Sequence, residues 1–329
     1  MATTASHSAP TSSSALTPNS APASAHTPTR PIRPRSPQTR GWRMLVPYLY
    51  LLPTITLMLV LLAVPIVMVI HYSLQDAVIT NPNPVFVGIS NYAAILTHAK
   101  FYTALKNTAF FTLVSVIAHM IIGLAFALLL NSDKVSAITR TIFRTLFVLP
   151  WLLTVAIIAI LWRLLLNPNG VVNYILNAIG LISGQQEWLA DPDMALTVVT
   201  LINIWAGYPF FMISLLAGLQ GISPDLYEAA EVDGAGPIRR FTSITIPQLL
   251  PVLTSMALLD IIWTSQQFAL IWMTTGGGPL DRTEMLATYT YKLAFSDYDF
   301  AAASAAAVLI FIMSMLLAAL YVKSQKLRD

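Results

Sequence analysis

Cysteine is absent from the 329-residue chain, and only 10% of its residues are charged. The first absence excludes disulfides, thiol catalysis and cysteine-based metal sites. The second is unusual, because about one quarter of an ordinary soluble domain is charged. Together with an apolar content of 56% and a mean hydropathy of +0.68, it indicates a chain whose solvent is lipid.

A phosphate-binding loop is also missing. The Walker A motif needs a Gly-Lys pair, and no glycine of this chain is followed by lysine. The sequence shows no cluster of acid, base or metal-ligating residues on one side of a span, and no metal, nucleotide or nucleic-acid site. It therefore predicts a protein that is not an enzyme.

Residues 1–43 differ from the rest of the chain. Pro, Ser, Thr and Ala make up 29 of the first 40 residues, and none of those 40 is aromatic. Such a segment cannot bury enough apolar area to offset its ordering entropy, so we expect a disordered tail. It lacks the apolar stretch of a secretory signal peptide, and its arginines, from Arg30 to Arg43, would lie near anionic lipid headgroups.

Six apolar segments are long enough to cross a bilayer, which takes roughly 20 residues of helix. The sequence therefore predicts an all-α integral membrane domain over 44–325. Its spans lie at about 44–73, 105–130, 145–166, 195–218, 250–273 and 303–322.

The distribution of Lys and Arg predicts the orientation. Thirteen of them lie in the two terminal segments and in the loops on the same face of the membrane as the termini. Three lie in the loops on the opposite face, and two more, Lys106 and Arg163, lie at span ends on that opposite face. Because basic residues collect on the cytoplasmic side, we expect a multi-pass protein of the bacterial cytoplasmic membrane with both termini inside. The loop 219–249 then faces the cytoplasm, and a short interfacial helix at 171–181 lies outside.

The loop 219–249 reads as two short helices. Ser223-Pro224-Asp225 is a helix start, with a capping residue, a proline at the first helical position and an acid near the positive end of the dipole. Gly234 ends this helix, and a second one after Gly236 is expected to stop before Pro247. The pattern predicts a projecting knob that fits a socket on a soluble partner.

The residues of this loop resemble a family signature. Its pattern is Glu228-Ala229-Ala230, then Gly234, Ile244 and Ile246-Pro247, with Ile246 where the family usually has leucine. It is similar to the EAA signature of permease subunits in binding-protein-dependent ABC importers. The resemblance covers about residues 45–325, is closest to sugar permeases of the maltose and glycerol-phosphate type, and includes "LIWMTTGGGP" and "YTYKLAFSDYDFAAASAAA".

The resemblance implies a type I importer permease fold of six transmembrane helices with a cytoplasmic coupling helix. The coupling helix would dock in a cleft of a separate ATPase through Glu228, Ala229, Ala230, Asp233 and Gly234. The implied partners are a second permease, two ATPase subunits that bind ATP and magnesium, an extracytoplasmic sugar-binding protein and membrane lipid. No cofactor is expected in this chain itself.

Polar side chains inside the spans are candidates for a substrate cavity, because polar groups are costly there. Four of them follow a spacing of i, i+3, i+4 and i+7, which predicts one helical face. The candidates are Asn203, Tyr208, Asp260, Trp263, Thr264 and Gln267. Amide, acid and aromatic groups suit a sugar, but such residues also join helices, and the partner permease could hold the main contacts instead.

Three further predictions concern single motifs. His119, in the middle of the second span, is expected to make a helix-packing hydrogen bond. The alanine-rich run at 301–307 is expected to be a close-packing surface. The motif "TTGGGP" at 274–279 is expected to be a turn after the fifth span, with a gate as the alternative.

Three alternative functions belong to other classes of membrane protein or to another class of substrate. A secondary transporter usually shows intramembrane charge pairs, and the sequence offers Asp260 no evident basic partner there. A membrane enzyme lacks a candidate site. A glycerol-phosphate permease would need cations, and the middle of every predicted span lacks Lys and Arg, so the sequence favours a neutral sugar such as a disaccharide.

Overall fold

The computed structural model describes residues 38–76, 79, 81, 83–132 and 134–326. Residues 1–37 of the predicted disordered tail lie outside this part of the chain. From Gln38 onward the chain is helical, so the first helix begins six residues before the predicted span at 44. The first helix thus starts within the arginine-containing end of the predicted tail.

The described residues form fourteen α-helices. Their bounds are α1 Gln38–Met58, α2 Val64–Ser73, α3 Ser90–Thr97, α4 Ala99–Asn131, α5 Ala137–Leu152, α6 Val155–Leu165, α7 Val171–Ala178, α8 Ala195–Gln220, α9 Pro224–Val232, α10 Pro237–Arg240, α11 Ile246–Ser265, α12 Ala269–Thr274, α13 Leu286–Phe295 and α14 Phe300–Lys326. Two π-helical segments, Leu59–Ala63 and Phe241–Thr245, precede α2 and α11. Two short antiparallel strands, β1 Gln75–Asp76 and β2 Val85–Phe86, pair Gln75 with Phe86 and Asp76 with Val85.

The chain divides into two compact units, residues 1–58 and 59–329. Within the first unit the structure describes α1, an apolar helix that contains Pro47 and Pro53. The second unit contains all the other helices and the buried core, and the site residues discussed below belong to it.

The predicted count of six spans is confirmed when a bent helix pair is taken as one span. Five continuous helical segments are long and apolar enough to cross a bilayer: Pro47–Ser73, Ala99–Asn131, Ala195–Gln220, Pro237–Ser265 and Phe300–Ala319. The sixth candidate is α5 with α6, whose axes meet at 99°. The described loops also contain α3 and α13, which the sequence analysis did not predict, and the prediction of α7 is confirmed.

The predicted span at 145–166 is not one continuous helix. Pro150 lies in the last turn of α5, where it removes a backbone donor, and the chain leaves the helix at Leu153. Thr154 then starts α6, and its hydroxyl accepts a hydrogen bond from the Ile157 amide at 3.4 Å. The bend thus falls at Leu153 and Thr154, where the backbone is extended between the end of α5 and the cap of α6.

The second helix of the loop does not stop before Pro247, contrary to the prediction. The helix that starts at Pro237 continues through the π-helical segment into α11, up to Ser265. Pro247 falls in the first turn of α11, where the change of hydrogen-bond register leaves room for a residue without an amide hydrogen. A π-helical segment also precedes Pro65 in the first span.

The packing of α4 against α8 forms the centre of the second unit. A side chain at Gly123 would place its Cβ 2.5 Å from the Cβ of Phe211 and 2.9 Å from the Met212 amide nitrogen, and one at Gly207 would collide with the His119 ring. Small residues let two helices approach closely, as is common in membrane bundles. In α14, Ala301, Ala303, Ala305 and Ala306 are buried, which confirms the predicted close-packing surface.

Candidate functional site

Helix α9 forms a projecting surface. Ser223 precedes it at the predicted capping position, although its side chain makes no capping hydrogen bond, and Pro224 and Asp225 begin the first turn. Gly234 follows with a φ of +75°, in the left-handed region that favours glycine, and the Ala235 amide donates to the Ala230 carbonyl oxygen at 2.8 Å. The predicted helix and its end are therefore confirmed.

The residues predicted to couple to an ATPase are mostly exposed to solvent on α9 and at its end. Glu228, Ala229, Asp233 and Gly234 are exposed, and Ala230 is partly buried. Val232, in the last turn of α9, is 89% exposed, which is unusual for a large apolar side chain next to small ones. Small and apolar residues rimmed by carboxylates are typical of a protein contact surface.

Two side-chain contacts connect α9 to the continuous helix Pro237–Ser265. The hydroxyl oxygens of Tyr227 and Thr245 lie 2.9 Å apart, and Thr245 is buried in the π-helical segment. Arg240 donates from Nη1 to Oε2 of Glu231 at 2.9 Å. Sequence reasoning missed both contacts, because they depend on the angle at which the loop folds back.

A second candidate site is a buried polar network between α4, α8 and α11. Nδ1 of His119 lies 2.7 Å from Oδ2 of Asp260, and Thr264 donates from its hydroxyl to Oδ1 of Asp260 at 2.9 Å. Nε2 of His119 lies 3.1 Å from the backbone oxygen of Asn203, whose side-chain amide donates to the Ser115 hydroxyl at 3.0 Å. All five residues are buried.

The hydrogen-bond partners define how many protons this network holds. The Asn203 carbonyl oxygen can only accept, so Nε2 of His119 must carry a proton. One further proton lies between Nδ1 and the Asp260 carboxyl group, because two bare acceptors would repel at that distance. The His119–Asp260 pair is therefore neutral overall, which lowers the cost of placing an acid inside a membrane span.

The network corrects one expectation and confirms another. Asp260 does have a basic partner within the spans, and that partner is His119. The predicted helix-packing hydrogen bond of His119 is confirmed. The pairing was not visible in the sequence, because 141 positions separate the two residues.

The predicted helical face of Asp260, Trp263, Thr264 and Gln267 is interrupted. Asp260 and Thr264 point into the bundle, whereas Trp263 is 58% exposed. Helix α11 ends at Ser265, so Gln267 lies in the break before α12. The structure thus connects Asp260 and Thr264 to Asn203 through His119, and this network joins α4, α8 and α11.

Two of the predicted cavity residues lie in aromatic groups. The Tyr208 ring packs on Phe126 with ring centroids 5.3 Å apart. The exposed Trp263 continues a row that runs through Phe210 to Trp151, with centroid distances of 5.8 and 6.2 Å. This row lies where α5 ends at its bend, so the bend presents Trp151 beside α8 and α11.

The segment between α12 and α13 is held by an ion pair whose carboxylate is buried. Lys292 pairs with Oε2 of Glu284, which is 1% exposed, and Asn107 of α4 donates to the Glu284 backbone oxygen at 3.0 Å. Gly277, with a φ of +89°, lies so close that a side chain there would collide with the Glu284 carboxylate. The predicted turn at 274–279 is confirmed, and it is anchored to α4.

Tyr289 of α13 makes a further contact with the start of α4. Its hydroxyl oxygen lies 3.2 Å from Nδ1 of His98. Burial raises the pKa of the Tyr289 phenol, and the carboxylates of Asp297 and Asp299 raise it further. The phenol therefore stays protonated at neutral pH and keeps this contact between α13 and the start of α4.

Five continuous apolar helical segments and one bent pair are each long enough to cross a membrane, and a short exposed helix lies between two of them, as expected of a polytopic membrane protein. Residues 119–326 match the family described as "Binding-protein-dependent transport system inner membrane component". The chain belongs to this family, and the resemblance inferred from its loop is confirmed. It is a non-catalytic permease component.

Several known proteins are similar to this chain over most of its length. The chain is 35% identical to the trehalose/maltose transport system permease protein MalF of Thermococcus litoralis, over 85% of this chain and 94% of that one. It is 33% identical to the sulfoquinovosyl glycerol transport system permease protein SmoG of Agrobacterium fabrum, over 87% and 92% of the two chains. A chain of a bacterial ABC transporter for import of the acidic polysaccharide alginate superposes with a TM-score of 0.76 at 26% identity, over 87% of this chain and 98% of that one.

Proposed function

We propose that this chain is the permease subunit of an ATP-driven importer for a sugar, coupled to separate ATPase subunits through α9. The observation that carries the proposal is the exposed α9 surface tied by Tyr227 and Thr245 to the start of a membrane-spanning helix. A displacement of α9 by a soluble partner would therefore reach the span directly.

The polar network would carry the displacement further. Helix α11 contains Asp260, which is bonded to His119 of α4, and His119 in turn contacts Asn203 of α8. The three helices would thus move as one body when α9 is pulled toward or pushed from the membrane. Such a rigid movement is the kind that changes which side of a membrane a central cavity faces.

The partners follow from the family and from the chain's own lack of a nucleotide site. We infer a second, related permease, two ATPase subunits that hold ATP and magnesium, and an extracytoplasmic sugar-binding protein. The family is defined by dependence on a binding protein, and the solved alginate transporter was captured with its periplasmic protein. Both termini and α9 would face the cytoplasm, because thirteen of eighteen Lys and Arg residues lie on that side.

The substrate we favour is a neutral disaccharide. A relative is named for trehalose and maltose, and the centre of this bundle presents no unbalanced charge, since His119 neutralises Asp260. The alginate transporter takes an acidic polysaccharide and supports the rival assignment of an anionic sugar. An anion would need Arg or Lys, which this chain lacks in the middle of its spans.

Purification of the tagged chain in mild detergent, followed by reconstitution of what copurifies, tests this function. We expect one further permease and an ATPase, and uptake of maltose or trehalose that needs ATP and the binding protein. Uptake that persists without ATP and collapses when an ion gradient is dissipated would instead establish a secondary transporter. The buried His119–Asp260 pair is the kind of group that such a transporter uses, so this comparison is needed.

A further inference from the structure

A continuous series of aromatic rings runs from the break between α11 and α12 to the start of α14. Successive ring centroids are 5.6 Å apart for Phe268 and Trp272, 4.6 Å for Trp272 and Tyr291, 4.8 Å for Tyr291 and Phe295, and 6.1 Å for Phe295 and Phe300. Phe268 also contacts Tyr291 at 5.0 Å. These distances are those of direct aromatic contacts.

A pocket of about 320 Å³ opens on this series. Its walls are the rings of Phe268, Tyr291 and Phe295, the methyl groups of Ala287 and Ala294, and Thr290. Its volume is near the lower end of the range of about 300–1,000 Å³ for small-molecule sites. Phe295 at its rim is 57% exposed, so the aromatic wall is open to an incoming molecule.

The polar groups of the pocket are hydroxyls. Thr290 donates its proton to the Leu286 backbone oxygen at 2.9 Å, which leaves its oxygen free to accept. Tyr291 can donate or accept through its phenol group. Lys292 is the neighbouring cation in the sequence, but it does not line the pocket, and its charge is neutralised by Glu284. The walls therefore favour a neutral ligand with hydroxyl groups.

Gln267, which the sequence analysis proposed for a substrate cavity, directly precedes the pocket residue Phe268 in the chain. Gln266 and Gln267 occupy the break directly before Phe268. The aromatic wall supplies an apolar face for stacking, and Thr290 and Tyr291 supply partners for hydroxyl groups. A pyranose ring presents the complementary surface, since its C–H bonds form an apolar face and its hydroxyls point outward from the edge.

We propose that the pocket formed by Phe268, Thr290, Tyr291 and Phe295 is a binding site for the pyranose ring of a neutral sugar, placed before the helix break on the import path. The inference rests on the proposed function, because it assumes that the transported solute is a sugar. It goes further by assigning an entry site outside the polar core. Residues of α13, which the sequence analysis left in a loop, supply most of its wall.

Aromatic residues also collect at membrane interfaces without binding any solute, and the test has to separate the two roles. Tyr174 on α7 offers a matched control, because it is an exposed aromatic residue that does not line the pocket. Phe295→Leu and Tyr291→Leu remove rings from the pocket, whereas Phe295→Tyr keeps a ring and serves as the conservative variant. All variants are assayed in the copurified complex reconstituted with its binding protein.

Two quantities are measured with maltose and trehalose. One is the amount of sugar imported per ATP hydrolysed, and the other is the concentration of binding protein that half-saturates the stimulation of ATP hydrolysis. We expect Phe295→Leu and Tyr291→Leu to lower sugar import per ATP about threefold to tenfold, which corresponds to the loss of one aromatic contact. The half-saturating concentration of binding protein should match the wild type in every variant. Import per ATP should match the wild type in Tyr174→Leu, and Phe295→Tyr, which keeps the ring, should lose less import per ATP than Phe295→Leu.

Each other result overturns the assignment. Equal import per ATP in all variants would mean that no sugar uses the pocket, and an equal loss in Tyr174→Leu would mean a membrane-interface role. A higher half-saturating concentration of binding protein with unchanged import per ATP would make the pocket a docking contact. Stronger inhibition of wild-type uptake by an alginate trisaccharide than by excess maltose would show that the path prefers an acidic sugar. Absence of any sugar uptake by the wild-type complex would refute the proposed function and this site together.

Discussion

Nδ1 of His119 and Oδ2 of Asp260 lie 2.7 Å apart in the interior of the bundle, although 141 positions separate them in the chain. The contact joins α4 to α11, and the Asn203 backbone oxygen on the other ring nitrogen adds α8. Because both groups are buried, each satisfies a polar atom that would otherwise have no partner.

Removal of one partner should therefore be much worse than removal of both. His119→Leu and Asp260→Leu are each expected to destabilise the folded chain by about 3–5 kcal/mol, the typical cost of leaving a buried charged group alone. The double substitution should recover a large part of that loss. Thermal unfolding of the four proteins in detergent measures this coupling, and additive effects of the single changes would contradict it. Asp260→Asn, which keeps a hydrogen-bonding group, is the conservative control.

Gly207 should not tolerate any side chain. A methyl group there would collide with the His119 ring, so Gly207→Ala should cost about 1–3 kcal/mol or more through overpacking and should disturb the polar network. Gly221→Ala is the matched control, because its Cβ would lie 3.4 Å from the nearest backbone oxygen, an ordinary contact, and should change stability by about 0.5 kcal/mol or less. Similar melting temperatures for the two variants would show that α4 and α8 are not packed as the structure has them.

Gly234 and Glu228 should matter for coupling rather than for insertion. Gly234→Ala forces a side chain into the left-handed region at a cost of about 1–2 kcal/mol and should tilt the end of α9. Glu228→Lys reverses a charge on the exposed surface. Both variants should reach the membrane normally while uptake and sugar-stimulated ATP hydrolysis fall together. Wild-type uptake in both variants would remove α9 from the coupling path.

Tyr227→Phe tests the connection between α9 and the span. It removes only the hydroxyl that contacts Thr245, so we expect a loss of about 1 kcal/mol in stability or less. If the contact transmits motion, ATP hydrolysis should continue while less sugar is imported per ATP. Thr242→Val, which removes an exposed hydroxyl in the same π-helical segment, should leave that ratio unchanged. A Tyr227→Phe complex with normal import per ATP would assign the contact a structural role alone.

Two lysine ion pairs involve the segment between α12 and α13, and the loss of each should have a very different effect on stability. Lys292→Met leaves the carboxylate of Glu284 buried without its cation and should cost about 3–5 kcal/mol. Lys100→Met breaks an exposed pair with Asp281, 3.1 Å long, and should cost about 0–1 kcal/mol. Thermal unfolding of both variants decides the point, and equal melting temperatures would mean that Glu284 finds another partner.

Local patterns were sufficient for the span count, the projecting helix and the family. Each of these depends on consecutive residues: about 20 apolar residues make a span, and Pro224 with Gly234 defines the ends of α9. The same local reasoning failed at Pro150 and Pro247. Whether a proline breaks a helix depends on its neighbours' hydrogen bonds, and here a cap at Thr154 favoured a break while a π-helical segment prevented one.

The sequence by itself determined that this chain is an α-helical membrane subunit with an exposed loop of the coupling type, because hydrophobic run length and loop signature are properties of adjacent residues. Only the tertiary structure decided that Asp260 pairs with His119, that Trp263 faces outward and that Gln267 lies in a helix break beside an aromatic pocket. These relationships depend on how helices distant in the chain cross one another. The crossing of α4 and α8 is set by glycines at the contact, a feature that no periodicity within one helix records.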